Sequence, residues 1–509
     1  MAITAGSNLN SVPSPIKATL SSNYLDLNSS SGWGQQYVPD LMEKEAEVFG
    51  NRTISGFLSQ VGAEEAMQAD QVIWSEQGRL HLSYLGDLDA DNVITIQSDI
   101  DGNNYAEAGI SVTHGIRLND TVVVATPNGV YKAMVTGFAG TNDCDVTVAT
   151  YDGSTIATSG ATGNKKTTIM VYGSEFAKGM AYYTAAGTAA ADTTGAIEPK
   201  FKTFANKPII IRDYYEVSGS DVSKVGWVEV TGEDGQNGYL WYLKAEGDTR
   251  SRFTDHLEMA MLESKFGGPA AATASASIYG SINANADLTD NHIYGSNTGD
   301  ATGTQGLFDA IETRGNVTSG VTGVNAATDL AEFDAILAEF DKQGAIEEYM
   351  MFVNRSTSLA IDDMLASMNS YGAGGTSYGV FNNSEDMALN LGFTGFRRGS
   401  YDFYKSDFRY LNDLATRGGI NAAAGANAIR GVMIPAGTSS VYDQTVGQSM
   451  KRPFLHVRFR ASQTDDRRMK TWVTGSVGAA TSALDAMQLH FLTERCLITQ
   501  GANNFMLMK

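Results

Sequence analysis

From about Val93 to Val230 the apolar residues come in short runs broken by turn formers, the pattern of strands. Thr121-Val122-Val123-Val124, Val130 to Val135, Val146-Thr147-Val148 and Thr168-Ile169-Met170-Val171-Tyr172 are punctuated by Pro127-Asn128-Gly129, Asp152-Gly153 and a Gly/Thr-rich stretch from Gly153 to Gly163. The spacing predicts a small antiparallel barrel or sandwich of roughly 60 to 70 residues, inserted at about 110–178. A longer pair follows: Pro208 to Val217, a Ser218-Gly219-Ser220-Asp221 turn, and Val225 to Val230. It reads as an extended two-stranded ribbon, which needs a surface to lie on.

Helical periodicity then takes over. Phe253, Leu257, Ala260 and Met261 fall on one face, with Arg250, Arg252, Glu258 and Glu263 elsewhere. Asp248 is a suitable cap and Gly267-Gly268-Pro269 a stop, so a helix is expected over 248–266. Residues 270–325 are rich in Ala, Ser, Gly and Asn and suit loops with a short helix near Leu307 to Thr313. Leu330, Phe333, Ile336, Leu337 and Phe340 predict a second amphipathic helix, Tyr349 to Val353 a buried strand, and Leu359 to Met368 a third helix: an α/β module. Aromatics alternate with polar residues from Phe393 to Tyr410, and Met487 to Met508 reads as two strands joined by Gln500 to Asn504. The first 35 or so residues, rich in Ser and Asn and carrying Pro13 and Pro15, show neither period. They read as an arm laid on a neighbouring surface with Trp33 and Tyr37 as anchors; the alternative is an arm packed on its own domain.

Composition narrows the classes. Lys and Arg number 36 against 57 Asp and Glu, a net charge of −21, which excludes a protein that coats nucleic acid. Charged residues make up 18% of the chain, against about 25% in ordinary soluble domains. Either partners cover part of the surface, or Ser, Thr, Asn and the 54 Gly supply its polarity. Two distant cysteines, Cys144 and Cys496, rule out a disulfide framework and suit a reducing compartment. No apolar run reaches the roughly 18 residues of a membrane span, and Met1 to Leu20 lacks a secretory pattern, so a cytoplasmic origin is expected.

Motifs for chemistry fail one by one. Gly160 to Thr167 has the ingredients of a phosphate loop, but its glycine spacing is wrong and no helix start follows. The six histidines, His81, His114, His256, His292, His456 and His490, are scattered without an i, i+4 pair. There is no GxSxG elbow. The densest positive patch is Arg467-Arg468-Met469-Lys470 with Lys451, Arg452, Arg458 and Arg460 upstream. An intersubunit or intrachain ion-pair network with neighbours such as Asp465 and Asp466 is the favoured reading, and a contact to an acidic partner or DNA the other. No catalytic, cofactor-binding or metal residue is assigned, and the chain reads as a non-enzyme.

The order of parts, with Asn206-Lys207-Pro208 to Val217 and its turn, the helix from Asp248 to Phe266, then Glu348 to Met368 with Phe393 to Arg417, resembles the major capsid protein of tailed double-stranded DNA bacteriophages, the fold named after phage Hong Kong 97. The resemblance implies an α+β fold: an N-terminal arm with its lead-in (1–75), an extended β loop (76–235) carrying the inserted barrel or sandwich, a peripheral domain (236–328) with the helix as its spine, an axial domain (329–450), and return strands of both (451–509). It also implies hexamers and pentamers of this chain in an icosahedral head shell around double-stranded DNA, held without sequence-specific binding and without a membrane. The place is the virion, assembled in the bacterial cytoplasm. No long charged helical segment precedes the ribbon, so a separate scaffolding protein is implied, with a portal and a decoration or cement protein as further partners. Aromatic and Arg enrichment at contacts makes Trp33, Tyr37, Arg212, Tyr215, Glu216, Arg467 and Arg468 the candidate intersubunit residues. Two other readings stay open: a tail tube, fibre or decoration subunit, and a hydrolase with β-sandwich accessory domains acting through paired carboxylates.

Overall fold

The computed structural model describes residues 57–58, 63–77, 83–100, 104–105, 114–140, 143–156, 166–178, 201–222, 229–231, 237–265, 303–343, 346–368, 395–436, 438–443, 448–476 and 480–509. The chain divides into two compact units, one formed by residues up to Ile73 together with Ala205–Lys509, the other by Trp74–Phe204. The short strand β1 (Glu64–Met67) belongs to the first, and β2 (Val72–Gln77) stands at the passage into the second.

The second unit holds six antiparallel strands, β3 (Ser83–Ala90), β4 (Val93–Asp99), β5 (Asp120–Thr126), β6 (Gly129–Ala139), β7 (Asp145–Thr150) and β8 (Thr167–Ser174). They close into a barrel in the order β3-β4-β7-β6-β5-β8. Alternation along each strand sends one side chain in and the next out, and Leu88, Ile94, Ile96, Val122, Val124, Val135, Val146 and Ile169 fill the interior. Register shifts at Leu85/Gly86 and Val135/Gly137 supply the bends that closure needs. At Gly86 a Cβ would lie 2.2 Å from the Thr95 carbonyl oxygen, so only glycine fits. The expected module at about 110–178 is thus larger than the sequence reading: β3 and β4, ahead of it, are two of the six staves, and without them the barrel stays open. β9 (Phe201–Asn206) pairs with β2 where the chain leaves the unit.

Among the described residues the first unit contains two large sheets and two separate strand pairs. β10 (Ile209–Ser218) is followed by a single helical turn at Gly219–Val222 and a two-stranded pair, β11 (Glu229–Thr231) and β12 (Asn237–Tyr239). Helix α1 (Leu240–Glu263) comes next, then α2 (Leu307–Arg314), β13 (Asn316–Thr318), α3 (Ala326–Gln343), β14 (Glu348–Val353) and α4 (Arg355–Met368). After β15 (Gly395–Arg398), β16 (Tyr401–Asp407), a turn at Arg409–Asn412 and α5 (Arg417–Ala424), the chain is all strand: β17 (Gly431–Pro435), the paired β18 (Thr438–Asp443) and β19 (Gln448–Pro453), β20 (Leu455–Arg460), β21 (Lys470–Gly475), β22 (Ala486–Thr499) and β23 (Met506–Met508).

Sheet one runs β1-β20-β22-β10, with β21 also on β22; sheet two runs β13-β23-β17-β14-β16-β15. β22 pairs with β10 along one edge and with β20 and β21 in succession along the other. At Gly501, whose φ of 62° is left-handed, the chain turns and β23 enters the middle of sheet two. Strands of sheet two are buried on both faces: Phe352, Val432, Ile434 and Leu507 join one core with Leu257 and Met261 of α1, while Tyr349, Met351, Met433 and Met508 join another with Phe333, Ile336 and Phe340 of α3. Side-chain caps start α3 and α4, Asn325 Oδ1 accepting from Thr328 N at 3.0 Å and Asn354 Oδ1 from Thr357 N at 2.8 Å.

Two expectations are corrected here. The strand at Pro208–Val217 finds its partner far along the chain: β10 pairs residue for residue with β22, from Ile209↔Arg495 to Ser218↔Ala486. Of the nearer segment, 225–228 lies outside the described residues, and β11 pairs with β12. The distant partner offers a long apolar strand on which Ile211 and Val217 can bury, which a short local hairpin lacks. The long helix begins at Leu240, so Asp248 lies inside it, not at its cap. Leu-Trp-Tyr-Leu-Lys-Ala-Glu upstream of Gly247 contains good helix formers, and one interior Gly and Asp cost only about 1 kcal/mol or less each.

Candidate functional site

The antiparallel register of β10, β22 and β21 fixes the geometry of the surface where most of the sequence-selected residues fall. Side chains directly opposite one another share a face, so Arg212, Tyr214 and Glu216 of β10 line up with Leu492, His490 and Gln488 of β22 and with Lys470, Trp472 and Thr474 of β21. The alternate set, including Phe491 and Leu489, faces α1, where Phe491 stacks on Phe253 at 5.8 Å. Helix α1 packs on that face through Phe253, and on the other Arg212, Tyr214 and Glu216 are exposed.

On the open face three aromatic rings stand in a row across three strands. His490 lies between Tyr214 (ring centroids 6.0 Å) and Trp472 (5.1 Å), both in stacked orientation. Thr474 Oγ1 is 2.7 Å from His490 Nε2, and Gln488 Nε2 donates to Glu216 Oε2 at 2.7 Å. Burial, and after it the Arg212 charge, holds His490 below its ordinary pKa, so its ring is neutral at neutral pH. Tyr214 is 56% exposed, and Arg212, also exposed, makes no ion pair with any described residue. Tyr215 points the other way and is half-buried opposite Leu489.

Arg467 and Arg468 stand just before β21, inside a network of charges. Glu494, almost fully buried, takes Arg460 Nε at 2.7 Å on one oxygen and lies 2.8 Å from Arg467 Nε on the other. Glu64 of β1 pairs with Arg468 and, at 3.1 Å, with buried Arg495; Glu65 pairs with Arg458 at 2.7 Å, and Asp70 with Arg460. The Arg468 carbonyl accepts from Arg495 Nη2 at 2.6 Å and Thr493 Oγ1 at 2.7 Å. Among the described residues the arginines of the basic cluster thus pair within the chain, one of the two forms of network the sequence left open. Glu64 and Glu494 join the expected neighbours as partners, and Asp465 holds Lys470. A cavity of about 570 Å³ opens beside it, lined by Glu64, Glu258, Asp466, Arg468 and Arg495 among others. Glu258 there accepts from the Phe57 backbone N at 3.1 Å. The cavity's charges are largely matched with one another, an arrangement that fastens β1 to sheet one and sets up no nucleophile and base.

The other sequence candidates scatter. Trp33, Tyr37, His81, His292 and the 160–165 part of the phosphate-like loop lie outside the described residues. His114 Nε2 sits 2.7 Å from the Asp143 carbonyl, and His456 Nδ1 3.2 Å from that of Pro453. Both cysteines are buried and unbonded, and burial pushes the Cys496 thiol up to about 12. Among the described residues no group of three His, Cys, Asp or Glu side chains could hold a metal ion, and no helix is long and apolar enough to cross a membrane. Sequence reasoning missed Tyr214, Trp472 and His490 as a set. Its one available signal was the two-residue period of Lys470, Trp472 and Thr474 beside that of Arg212, Tyr214 and Glu216.

No protein-family model matches the chain, and no curated protein does. Solved structures resemble it along nearly its whole length. A chain of Mycobacterium phage Ogopogo is 8% identical with a TM-score of 0.37, covering 94% of this chain and 97% of the other. One from the capsid of cyanophage P-SCSP1u is 8% identical with a TM-score of 0.37, covering 97% and 98%. One from the capsid of a native GTA particle is 11% identical with a TM-score of 0.34, covering 95% and 98%. At these scores the likenesses carry no functional argument by themselves.

Proposed function

We propose that the chain is a structural shell subunit, the major capsid protein of a tailed double-stranded DNA phage, which assembles as hexamers and pentamers into an icosahedral head. The observation that carries this reading is the build of the first unit: the 24-residue helix α1 laid on sheet one, the helix-flanked sheet two, and the strand pair β22–β23 that threads both. These are the parts, in the order, that the sequence resemblance implies for a spine-helix peripheral domain and an axial domain. In that assignment α1 is the spine, α3, β14 and α4 belong to the axial domain, and the barrel is a module inserted in the extended loop.

The physics of a shell fits the chain. A subunit surrounded by copies needs broad contacts and no cleft, which suits 18% charge and a sheet face on which Tyr214 stands exposed beside half-buried His490 and Trp472. A net charge of −21 keeps the shell from gripping its DNA, so the genome is contained without sequence-specific contact. A separate scaffolding protein, a portal and a decoration or cement protein complete the proposed assembly in the host cytoplasm, and the mature location is the virion.

Electron microscopy with light scattering on the full chain, expressed with and without a candidate scaffolding partner, tests the reading. Closed shells or hexamer-sized rings are expected. A stable monomer or dimer under both conditions overturns it.

A further inference from the structure

Resting on the shell reading, we infer that the open face of β10, β22 and β21 is a docking surface for an acidic surface of a second copy of this chain, with Arg212 and Tyr214 as its anchors. The row Tyr214, His490 and Trp472 is held rigid by strand pairing and ring stacking, so little side-chain freedom is lost when a partner covers it. Tyr214 exposes a large ring on a regular strand, and Arg212 next to it on the same face carries a charge that no described residue neutralises. Aromatic rings beside an unspent guanidinium make the kind of patch on which contacts between proteins concentrate their energy.

Charge decides the occupant. The other charged groups bordering the row are already engaged: Lys470 holds Asp465 at 2.6 Å, and Glu216 accepts from Gln488. One free cation among the described residues of this face is too few to grip a phosphate backbone, where each neutralised phosphate adds to the binding. It is enough for one carboxylate on a protein. With 57 acidic residues against 36 basic, another copy of this chain presents such carboxylates in excess.

The test measures the subunit concentration needed for assembly in wild type and in Arg212→Glu, Arg212→Lys and Tyr214→Ser. Neither position belongs to a buried core cluster, so the unassembled variants are expected to melt like wild type. Arg212→Glu and Tyr214→Ser are expected to raise that concentration about tenfold or more. Arg212→Lys, which keeps the charge, should stay within a few-fold of wild type. Variants that all assemble at the wild-type concentration overturn the inference, and so does unassembled wild type that holds DNA through Arg212 while Arg212→Glu releases it and assembles normally. A wild-type chain that forms no assembly removes the shell reading itself, whereas wild-type shells with unaffected variants remove this inference alone.

Discussion

The Arg495 guanidinium, 5% exposed, lies 3.1 Å from the carboxylate of Glu64, a residue 431 positions earlier in the chain. Burial pulls the Arg495 pKa below its usual value, and Glu64 offsets part of that pull. The contact fastens β1, a four-residue edge strand with few apolar side chains of its own, onto the long β22 by way of β20.

Glu64→Gln should therefore destabilise the first unit by about 2 kcal/mol. That is below the roughly 3–5 kcal/mol of a fully buried pair, because Glu64 is still partly open to water. Urea unfolding measures it, and hydrogen exchange should quicken first along β1 and β20. Wild-type stability in the variant would mean that strand pairing alone holds β1.

A second buried pair gives a sharper contrast. Lys405 of β16 reaches Asp362 of α4 and donates to the Ser358 carbonyl at 3.1 Å, with side chains only 5% and 10% exposed. Lys405→Met alone leaves a carboxylate without its cation in a dry site and should cost about 3–5 kcal/mol. Lys405→Met combined with Asp362→Leu should recover most of that loss in denaturant midpoint. A double variant no better than the single one would show that the lysine's carbonyl contact matters more than the charge pair.

Gly86→Ala tests the barrel. The added methyl meets the Thr95 carbonyl oxygen at 2.2 Å, backbone that can yield only by shifting β3 against β4. A loss of about 1–3 kcal/mol is expected. It should show as faster amide exchange across residues 83–99 with β22 unchanged, and normal protection in the variant would contradict the bulge geometry.

The two titrating groups of β22 give opposite pH windows. His490 has a lowered pKa in the folded chain, so as pH falls below about 6.5 the unfolded chain takes up a proton that the folded chain resists. This contribution is full above that value and drains away below it. Replacing His490 with Gln should flatten the fall in melting temperature between pH 7.5 and 5. Cys496, raised from 9.0 to about 12, contributes stability that is present below pH 9 and lost as pH rises towards 12. At pH 8 iodoacetamide should leave Cys496 unmodified until the chain is unfolded, read by mass spectrometry; rapid labelling of the folded chain would show that β22 opens readily.

How much of this was legible in the sequence depends on how far each element's partner lies along the chain. Phe333, Ile336 and Phe340 announce α3 by period alone, and Tyr349 to Val353 announces β14 by its unbroken apolar run. Nothing local tells Ile211 to share a core with Phe491, because hydrophobic pattern fixes which face is buried and not which strand covers it. The nearest strand was taken for the partner, and the real one lies close to the chain's far end. The Trp472 row was hidden for a similar reason. Lys470 to Gly475 is short and mostly polar, so its neighbours Arg467 and Arg468 drew attention to charge while Tyr214 and His490 stood in other segments. The charge network itself was half legible: its arginines cluster in sequence, but Glu64 and Glu494 reach them only through the fold.

The threading of β22 and β23 through both sheets sets a timetable for synthesis. Residues 486–508 supply a central strand to each sheet, and residues 57–476 can bury neither Leu497 nor Leu507 against α1 and α2 until that stretch has left the ribosome. A nascent or prematurely stopped chain therefore presents two incomplete sheets. Only chains translated past residue 508 can complete both, a check that needs no enzyme because it is written into the order of the strands.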